Sequence, residues 1–512
     1  MGHRIKARKA QSVPAPRIDT DEALLLSFLS DAAHVPGGFA AGVAFPRSEA
    51  EVASLVVQAT KVLPIGAQSS LTGGATPRGE VVLSTRALSS MSSPAGDSVR
   101  VGAAVPLKEL QRGLAAVGLY YPPVPTFDGA FVGGTIATNA AGAATFKHGS
   151  TRRWVNAATI VLASGDVLDV VRGETLASNE GWFEIELTTG SILRVPVPTY
   201  VMPDVPKLSA GYYAAPGMDL IDLFIGAEGT LGVVIEATLK VVARPRRVAA
   251  LIRCSDDTQA VMVTAALRRE AQSAWRGQGP LDVAAIEYMD TRALRAVPDE
   301  SFSRAGVTRP SGQSVMLLVQ IEISGDDEAA LGRLQSVLAS AGIEDDPHLA
   351  LAGDDRGAER LFNLREAVPS SVNAIVAAAK QAHPDVEKTA GDMVVPFERL
   401  SESIDLYRST LERHGLDYAI WGHVSDGNLH PNVVPRSFDD VRRGREAILE
   451  IARAVVAMGG APLAEHGVGR SALKQQLLRE LYGPEGIDQM RAVKRALDPE
   501  WKLAPGVLFT RA

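Results

Sequence analysis

The sequence predicts an α+β protein built from two successive units. Strand-like alternation and helix-like periodicity are mixed along the whole chain, which is typical of an α+β fold. A composition change falls at 243–247, where proline and arginine follow a β-branched stretch. A chain of 512 residues is also long for a single hydrophobic core. We expect an N-terminal lead-in over 1–39, a first domain over 40–245 and a second domain over 246–512.

Composition excludes several classes of protein. Hydrophobic residues make up 46% and charged residues 22%, which is ordinary for a soluble globular chain. The net charge of -7 offers no cationic surface for nucleic acid. The one cysteine, Cys254, rules out an internal disulfide and an iron–sulfur cluster held by the chain itself. Apolar stretches fall far short of about 20 residues. We expect a cytoplasmic protein, and a peripheral membrane contact stays open.

In the first unit, residues 1–20 are rich in basic residues and proline, and we expect a loose arm. Apolar residues at helical spacing predict helices from Glu49, ending before Pro64, and from Leu107 to Val117. β-branched runs predict strands. These strands cover 81–83, 99–101, 159–163, 167–171 and 233–242, and a glycine turn joins 159–163 to 167–171 as a hairpin.

The second unit alternates strand and helix signals, which predicts an antiparallel sheet backed by helices. Predicted strands cover 249–253, 284–289 and 314–323, and predicted helices cover 257–273 and 328–341. The last third is mainly helical by periodicity. Its helices are predicted over 397–414, 438–458, 471–482 and 486–497.

Three glycine-rich segments indicate a large cofactor with a diphosphate. They are Pro64–Ala75, Gly133–Gly142 and Gly226–Ile235. Small residues let a backbone approach a ligand closely, and successive N–H groups can hold phosphate. Each segment alone could instead be a surface loop or a helix-packing element. Neither Gly-x-Gly-x-x-Gly nor a P-loop occurs, which argues against a Rossmann or P-loop site.

Histidines near the C-terminus indicate a metal site. Gly422–Asn432 holds His423 and His430 on either side of an Asp-Gly-Asn turn, which can bring them together. With Glu465 they form a reasonable set for Zn²⁺ or another divalent ion, although structural histidines are the alternative. The neighbouring His466 is either a general base or the cap of a turn.

Two basic residues upstream could hold a substrate carboxylate. Arg365 offers a bidentate guanidinium and Lys388 an ammonium group. Solvated surface charges are the alternative for both.

These motifs, in this order, resemble the FAD-dependent 2-hydroxyacid dehydrogenases of the vanillyl-alcohol-oxidase superfamily. The similarity to D-lactate dehydrogenases, D-2-hydroxyglutarate dehydrogenases and glycolate oxidase FAD subunits covers about residues 40–510. Segments Lys388–Pro396 and Asp498–Gly506 agree as well. The resemblance implies a PCMH-type FAD-binding domain of two subdomains, followed by an α+β substrate domain with an antiparallel sheet and a helical C-terminal part.

The resemblance also implies the residues that bind FAD. Relatives with covalent flavin often have a histidine in the first loop, where this chain has Ala67, Gln68 and Ser69. We therefore expect non-covalent FAD. The implied cofactor-binding residues are Pro64, Ile65, Gly66, Ala67, Gln68, Ser69, Ser70, Thr72, Gly133, Gly134, Thr138, Asn139, Gly142, His148, Gly149, Glu228, Gly229 and Ile235.

For the reaction, the resemblance implies a divalent metal, Zn or Mn, on His423, His430 and Glu465. It assigns His466 as base and Arg365, Lys388 and Asn432 as substrate contacts. The expected reaction is oxidation of a small D-2-hydroxy acid, D-lactate first, by hydride transfer to flavin N5. The reduced flavin would pass electrons to a quinone, a cytochrome or an electron-transfer protein. A homodimer is an open expectation.

One departure bears on the substrate. Pro369 stands where the 2-hydroxyglutarate enzymes have a threonine four residues after the arginine, so a hydroxyl contact is lost. D-2-hydroxyglutarate and glycolate stay as alternatives to D-lactate. A metallohydrolase and a non-catalytic flavin-binding subunit are alternatives of other kinds. Segment Leu187–Met218 has no assigned role.

Overall fold

The computed structural model describes residues 2–123, 125 and 127–511. The strands of the first half are β1 (Arg4–Lys6), β2 (Arg8–Lys9), β3 (Gly42–Ala44), β4 (Val62–Ile65), β5 (Val81–Ser84), β6 (Ser98–Gly102), β7 (Leu119–Tyr120), β8 (Val155–Val161), β9 (Asp166–Val171), β10 (Trp182–Glu186), β11 (Ile192–Pro196), β12 (Val233–Lys240) and β13 (Val242–Ala243). The helices are α1 (Glu22–Leu26), α2 (Glu49–Gln58), α3 (Leu107–Ala115), α4 (Val132–Ala137), α5 (Thr145–His148) and α6 (Leu220–Phe224).

These elements form two main layers. A parallel sheet in the order β3-β5-β4 stands beside an antiparallel sheet in the order β2-β9-β8-β12-β6. Smaller sheets are β1-β10-β11 and β13-β7. The predicted hairpin is the β8–β9 pair. An α+β first domain is confirmed.

The expectation of a loose N-terminal arm is wrong for residues 4–9. Strand β1 pairs in parallel with β10, and β2 pairs antiparallel with β9. Arg8 also bonds the carboxylates of Glu49 and Asp169, so its charge ties the arm to α2 and β9. The segment therefore adds an edge strand to each of two sheets, although its composition alone suggested a flexible tail.

The second half has longer elements. Its strands are β14 (Arg246–Cys254), β15 (Asp282–Met289), β16 (Val315–Ile323), β17 (His348–Ala350), β18 (Thr389–Ala390), β19 (Met393–Val394), β20 (Tyr418–His423) and β21 (Asn428–Val433). Its helices are α7 (Asp257–Trp275), α8 (Thr291–Ala296), α9 (Asp299–Ala305), α10 (Asp327–Ser340), α11 (Asp355–Ala382), α12 (Leu400–Arg413), α13 (Phe438–Ala457) and α14 (Ala472–Leu497).

One antiparallel sheet organises this half, in the order β17-β14-β16-β15-β20-β21-β18, with β19 also on β21. Its predicted helix backing is present. Helix α14 is two helices joined at Gly483, whose φ of 68° interrupts the helix where the sequence predicts a break. Helix α11 was not predicted, because Pro369 lies inside it and proline is normally a helix-ending signal.

The two halves share buried surface. One continuous apolar cluster contains side chains of both halves, such as Phe183 and Leu317. Residues after α14 return to the first domain: the Val62 N–H donates to the Lys502 carbonyl at 2.8 Å, and the Ala504 N–H donates to the Val62 carbonyl at 2.8 Å. Among the described helices, none is both long and apolar enough to cross a membrane.

Candidate active site

The β20–β21 hairpin places two histidines side by side. Trp421 pairs with His430 and His423 pairs with Asn428 across the ladder. The turn closes at Gly427, whose φ is 77°. A Cβ on Gly427 would lie 2.3 Å from the Val395 carbonyl oxygen, so no larger residue fits there. The sequence prediction that this turn brings His423 and His430 together is therefore confirmed.

A single carboxylate oxygen is the centre of the cluster. Oε1 of Glu465 lies 3.4 Å from Nε2 of His423 and 3.3 Å from Nε2 of His430. Nε2 of His466 lies 3.5 Å from the same oxygen. Among the residues that the structure describes, Nδ1 of buried His430 has no hydrogen-bond partner.

The donor set fits a divalent metal. Ligand atoms of His423, His430 and Glu465 all lie within 4.8 Å of one another. Two imidazoles and a carboxylate are a set that Zn²⁺ and similar ions accept, with a position left for substrate. Asp392, His430 and His466 form a second possible set, which shares His430. The residues that would hold the predicted metal are thus brought together, although metal binding itself stays a prediction.

Glu287 on β15 orients His423. Its Oε1 lies 2.9 Å from Nδ1 of His423, and its Oε2 accepts a hydrogen bond from Nε of Arg365 at 3.0 Å. Burial alone would lower the pKa of His423, but the Glu287 charge raises it to about 9. Such a carboxylate holds the proton on Nδ1, and a metal that binds Nε2 would displace the second proton of the ring.

Asp392, which precedes β19, orients His466. Its Oδ2 accepts the backbone N–H of Glu465 at 3.0 Å and of His466 at 2.9 Å. The same oxygen lies 3.1 Å from Nδ1 of His466. Burial would raise the pKa of Asp392, but His466 and Lys474 hold it well below its usual range. An ionised Asp392 keeps a proton on Nδ1 of His466, so Nε2 is free to accept one.

Of the three predicted substrate-contact residues, two are buried and one is exposed. Arg365 is buried on α11 and bonds Glu287 and Glu366, the latter at 2.9 Å. Asn432 is buried and donates to the His430 carbonyl at 2.7 Å. Lys388 is exposed, with Nζ 5.6 Å from the centre of the Trp421 ring. Arg365 and Asn432 therefore border the cluster, whereas Lys388 lies beyond Trp421.

Two of the glycine loops meet in the first domain. A Cβ on Gly66 would lie 4.0 Å from Cα of Gly134. A Cβ on Gly134 would meet no described atom within 4 Å, so the space beside it is free for a ligand. Each of the three loops also has a non-glycine residue at positive φ: Gln68 at 56°, Asn139 at 48° and Glu228 at 51°. Such conformations cluster at ligand sites, and the loops fit a bound FAD.

Several predicted FAD contacts use their side chains within the protein. Gln68 donates to the Ser27 and Ser30 carbonyls. Nδ2 of Asn139 donates to the Leu208 carbonyl, and Oγ1 of Thr138 donates to the Gly134 carbonyl. Glu228 accepts the N–H groups of Val468 and Gly469, and the His148 ring lies against Glu322. Contacts from these residues to FAD would therefore come mainly from their backbone.

The remaining predicted FAD contacts differ in exposure, and their assignment stays a prediction. Buried ones are Ile65, Thr72, Gly142, Gly149 and Ile235. Half-buried ones are Pro64, Gly66, Ala67, Ser69, Ser70, Gly133, Gly134 and Gly229.

Sequence reasoning missed three residues that support the cluster. Asp392 lies within the quoted segment Lys388–Pro396, so a signal existed. Glu287 lies on β15, where the sequence pattern indicates only a buried strand. Lys207 lies in the segment that had no assigned role, and its ammonium is 3.0 Å from Oε2 of Glu465.

Two domain families match this chain. The profile of the FAD binding domain matches residues 40–170, and that of the FAD linked oxidases, C-terminal domain, matches residues 245–508, just over half of the chain. The glycolate oxidase subunit GlcD of Bacillus subtilis (strain 168) is 27% identical over 91% of this chain and 88% of its own length. The D-2-hydroxyglutarate dehydrogenase of Xanthomonas citri pv. viticola is 28% identical over 98% of this chain and 95% of its own.

Two further comparisons complete the assignment. The D-lactate dehydrogenase of Archaeoglobus fulgidus is 28% identical over 90% of this chain and 89% of its own length. A solved alkyldihydroxyacetonephosphate synthase shares the fold, with a TM-score of 0.59 and 15% identity over 90% of this chain and 75% of that one. The chain therefore belongs to the FAD-linked oxidases, with an FAD binding domain followed by the C-terminal domain of that family.

Proposed function

We propose that this protein oxidises a small D-2-hydroxy acid, most readily D-lactate, to the 2-oxo acid. The observation that carries the proposal is the convergence of the Nε2 atoms of His423, His430 and His466 on one oxygen of Glu465. When bound, FAD supplies N5 as acceptor for the C2 hydride, and a divalent metal, Zn or Mn, polarises the substrate hydroxyl.

His466 is the base in this proposal. Its side chain is 30% exposed, whereas His423 is 2% exposed, so His466 is the imidazole that a substrate can reach. Nε2 of His466 takes the hydroxyl proton as the C2 hydrogen leaves with its electron pair. Asp392 holds Nδ1 of His466 and so keeps Nε2 directed at the substrate.

Arg365 and Asn432 bind the substrate carboxylate. The Arg365 guanidinium is already paired with Glu287 and Glu366, so its orientation is fixed before substrate arrives. Lys388 lies farther out, beside Trp421, and adds positive charge that attracts the substrate carboxylate to the site. Pro369, one helical turn after Arg365 on α11, has no hydroxyl to offer a second carboxylate. This favours D-lactate over D-2-hydroxyglutarate, with glycolate as the smaller alternative.

Electrons must leave the reduced flavin for a separate acceptor. The single cysteine is buried in the second domain, so the chain cannot hold an iron–sulfur relay of its own. A quinone, a cytochrome or an electron-transfer protein would take the electrons.

The test is the visible spectrum of purified protein before and after anaerobic addition of a hydroxy acid. We expect an oxidised-flavin spectrum that bleaches with D-lactate and much more slowly with L-lactate. Bleaching by D-2-hydroxyglutarate or glycolate alone would correct the substrate. A flavin that no 2-hydroxy acid reduces would contradict the proposal and favour a non-catalytic flavin-binding subunit. Activity that needs metal but no flavin would favour a hydrolase.

A further inference from the structure

Lys207 is a buried cation in the segment between β11 and α6. Its side chain has no exposed surface. Its Nζ lies 3.0 Å from Oε2 of Glu465 and 3.2 Å from Oδ2 of Asp426. Lys207 thus holds the oxygen of Glu465 that the histidines do not face.

The two residues after Lys207 reach the second glycine loop. The Leu208 carbonyl accepts a hydrogen bond from Nδ2 of Asn139 at 3.2 Å. Oγ of Ser209 donates to the Thr138 carbonyl at 2.8 Å, and the Ser209 N–H donates to the Leu463 carbonyl at 3.0 Å. Residues 207–209 therefore contact both the segment around Glu465 and the second glycine-rich segment, Gly133–Gly142.

We propose that Lys207 is a positioning residue that directs Oε1 of Glu465 at the imidazoles and couples this ligand to the second glycine loop. The inference rests on the proposed metal site. A carboxylate with one oxygen fixed by an ammonium presents the other oxygen in one orientation. The bonds of Leu208 and Ser209 then transmit a displacement of Lys207 to Thr138 and Asn139.

If Lys207 only neutralises charge, its removal is expected to have the opposite effect on metal affinity. An ammonium 3.0 Å from Glu465 competes with a cation for the same negative charge. If Lys207 only neutralised the two carboxylates, removing it would tighten metal binding. If it positions Glu465, removing it weakens metal binding, because outer-shell contacts are typically worth about 10–100-fold in affinity.

The first experiment measures the Zn²⁺ affinity of the flavin-loaded protein by competition with a chromophoric chelator. Lys207→Met leaves Asp426 buried and unpaired, which by itself can unfold the protein. The double variant Lys207→Met/Asp426→Asn removes the pair together and keeps the shape of both side chains. We expect its Zn²⁺ affinity to fall at least about tenfold. An unchanged or tighter affinity would overturn the proposal.

The second experiment measures the Kd of FAD for flavin-stripped, metal-free protein. We expect a Kd about fivefold or more weaker in the double variant. His430→Asn is the control, because it removes a metal ligand and leaves Lys207 with both carboxylates. An equal loss in His430→Asn, or no loss in the double variant, would refute the coupling. Wild-type protein that binds FAD but no metal would end the proposed function, and this titration would still decide the coupling.

Discussion

Asp392 contacts His466 at two points through one oxygen: its Oδ2 accepts the backbone N–H at 2.9 Å and lies 3.1 Å from Nδ1 of the ring. The substitution Asp392→Asn keeps this shape but presents an amide N–H or a neutral oxygen to the ring. An amide N–H facing Nδ1 selects the wrong tautomer of His466, and a neutral oxygen stabilises the protonated ring less than the carboxylate does. We expect kcat to fall on the order of 10²–10⁴-fold with KM little changed. Steady-state kinetics with the matching hydroxy acid checks this.

The companion variant is His466→Ala, which should abolish turnover while bound flavin remains. Flavin and metal content should match the wild type in Asp392→Asn. Near-normal turnover of His466→Ala would exclude His466 as the base, and near-normal turnover of Asp392→Asn would exclude Asp392 as the residue that orients it.

Substitutions at two adjacent glycines are expected to have different effects, one on cofactor binding and the other on packing. A Cβ on Gly134 meets open space, whereas a Cβ on Gly133 would lie 2.7 Å from Cβ of Ala103. We expect Gly134→Val to weaken FAD binding with little change in Tm of the apoprotein. Gly133→Ala should instead lower stability by about 1–3 kcal/mol, as overpacking does. Calorimetry and flavin titration of both variants test this, and unimpaired FAD binding by Gly134→Val would remove Gly134 from the cofactor site.

Glu228 gives the protein a pH-dependent stability. Burial raises its pKa from 4.5 to about 7, opposed by the N–H groups of Val468 and Gly469. Between those two values the folded protein binds more protons than the unfolded chain, so stability falls as pH rises. The contribution of Glu228 is at most about 3 kcal/mol. Urea unfolding at pH 5 and pH 7.5 measures the difference.

The variant Glu228→Gln should flatten this pH dependence, because the amide does not titrate and still offers an oxygen to one of the two N–H groups. The same slope in wild type and variant would show that another group is responsible.

The single thiol reports on the fold of the second domain. Cys254, at the end of β14, is buried, and burial raises its pKa to about 12. Thiolates, not thiols, react with disulfide reagents. We expect no reaction with a chromogenic disulfide at pH 8 until urea unfolds the protein, and then one thiol per chain. Rapid labelling of the native protein would contradict the burial of Cys254.

The sequence predicted the features of the site that depend on residues close together in the chain. The Asp-Gly-Asn turn indicated that His423 and His430 face each other, and the glycine loops indicated a bound cofactor. The orienting residues come from elsewhere: Glu287 is 136 residues from His423, and only the pairing of β15 with β20 brings them together. Helix α11 was not predicted, because Pro369 lies inside it and proline is normally a signal that a helix ends.

The return of residues 502–504 to Val62 also constrains synthesis of the protein. Strand β4, which ends at the first glycine loop, donates one backbone hydrogen bond to, and accepts one from, a segment made more than 430 residues later. On the ribosome, the first domain therefore cannot complete this edge until Lys502 and Ala504 leave the exit tunnel. We expect flavin capture only after these residues have emerged, with nascent chains that stop before Lys502 unable to retain the cofactor.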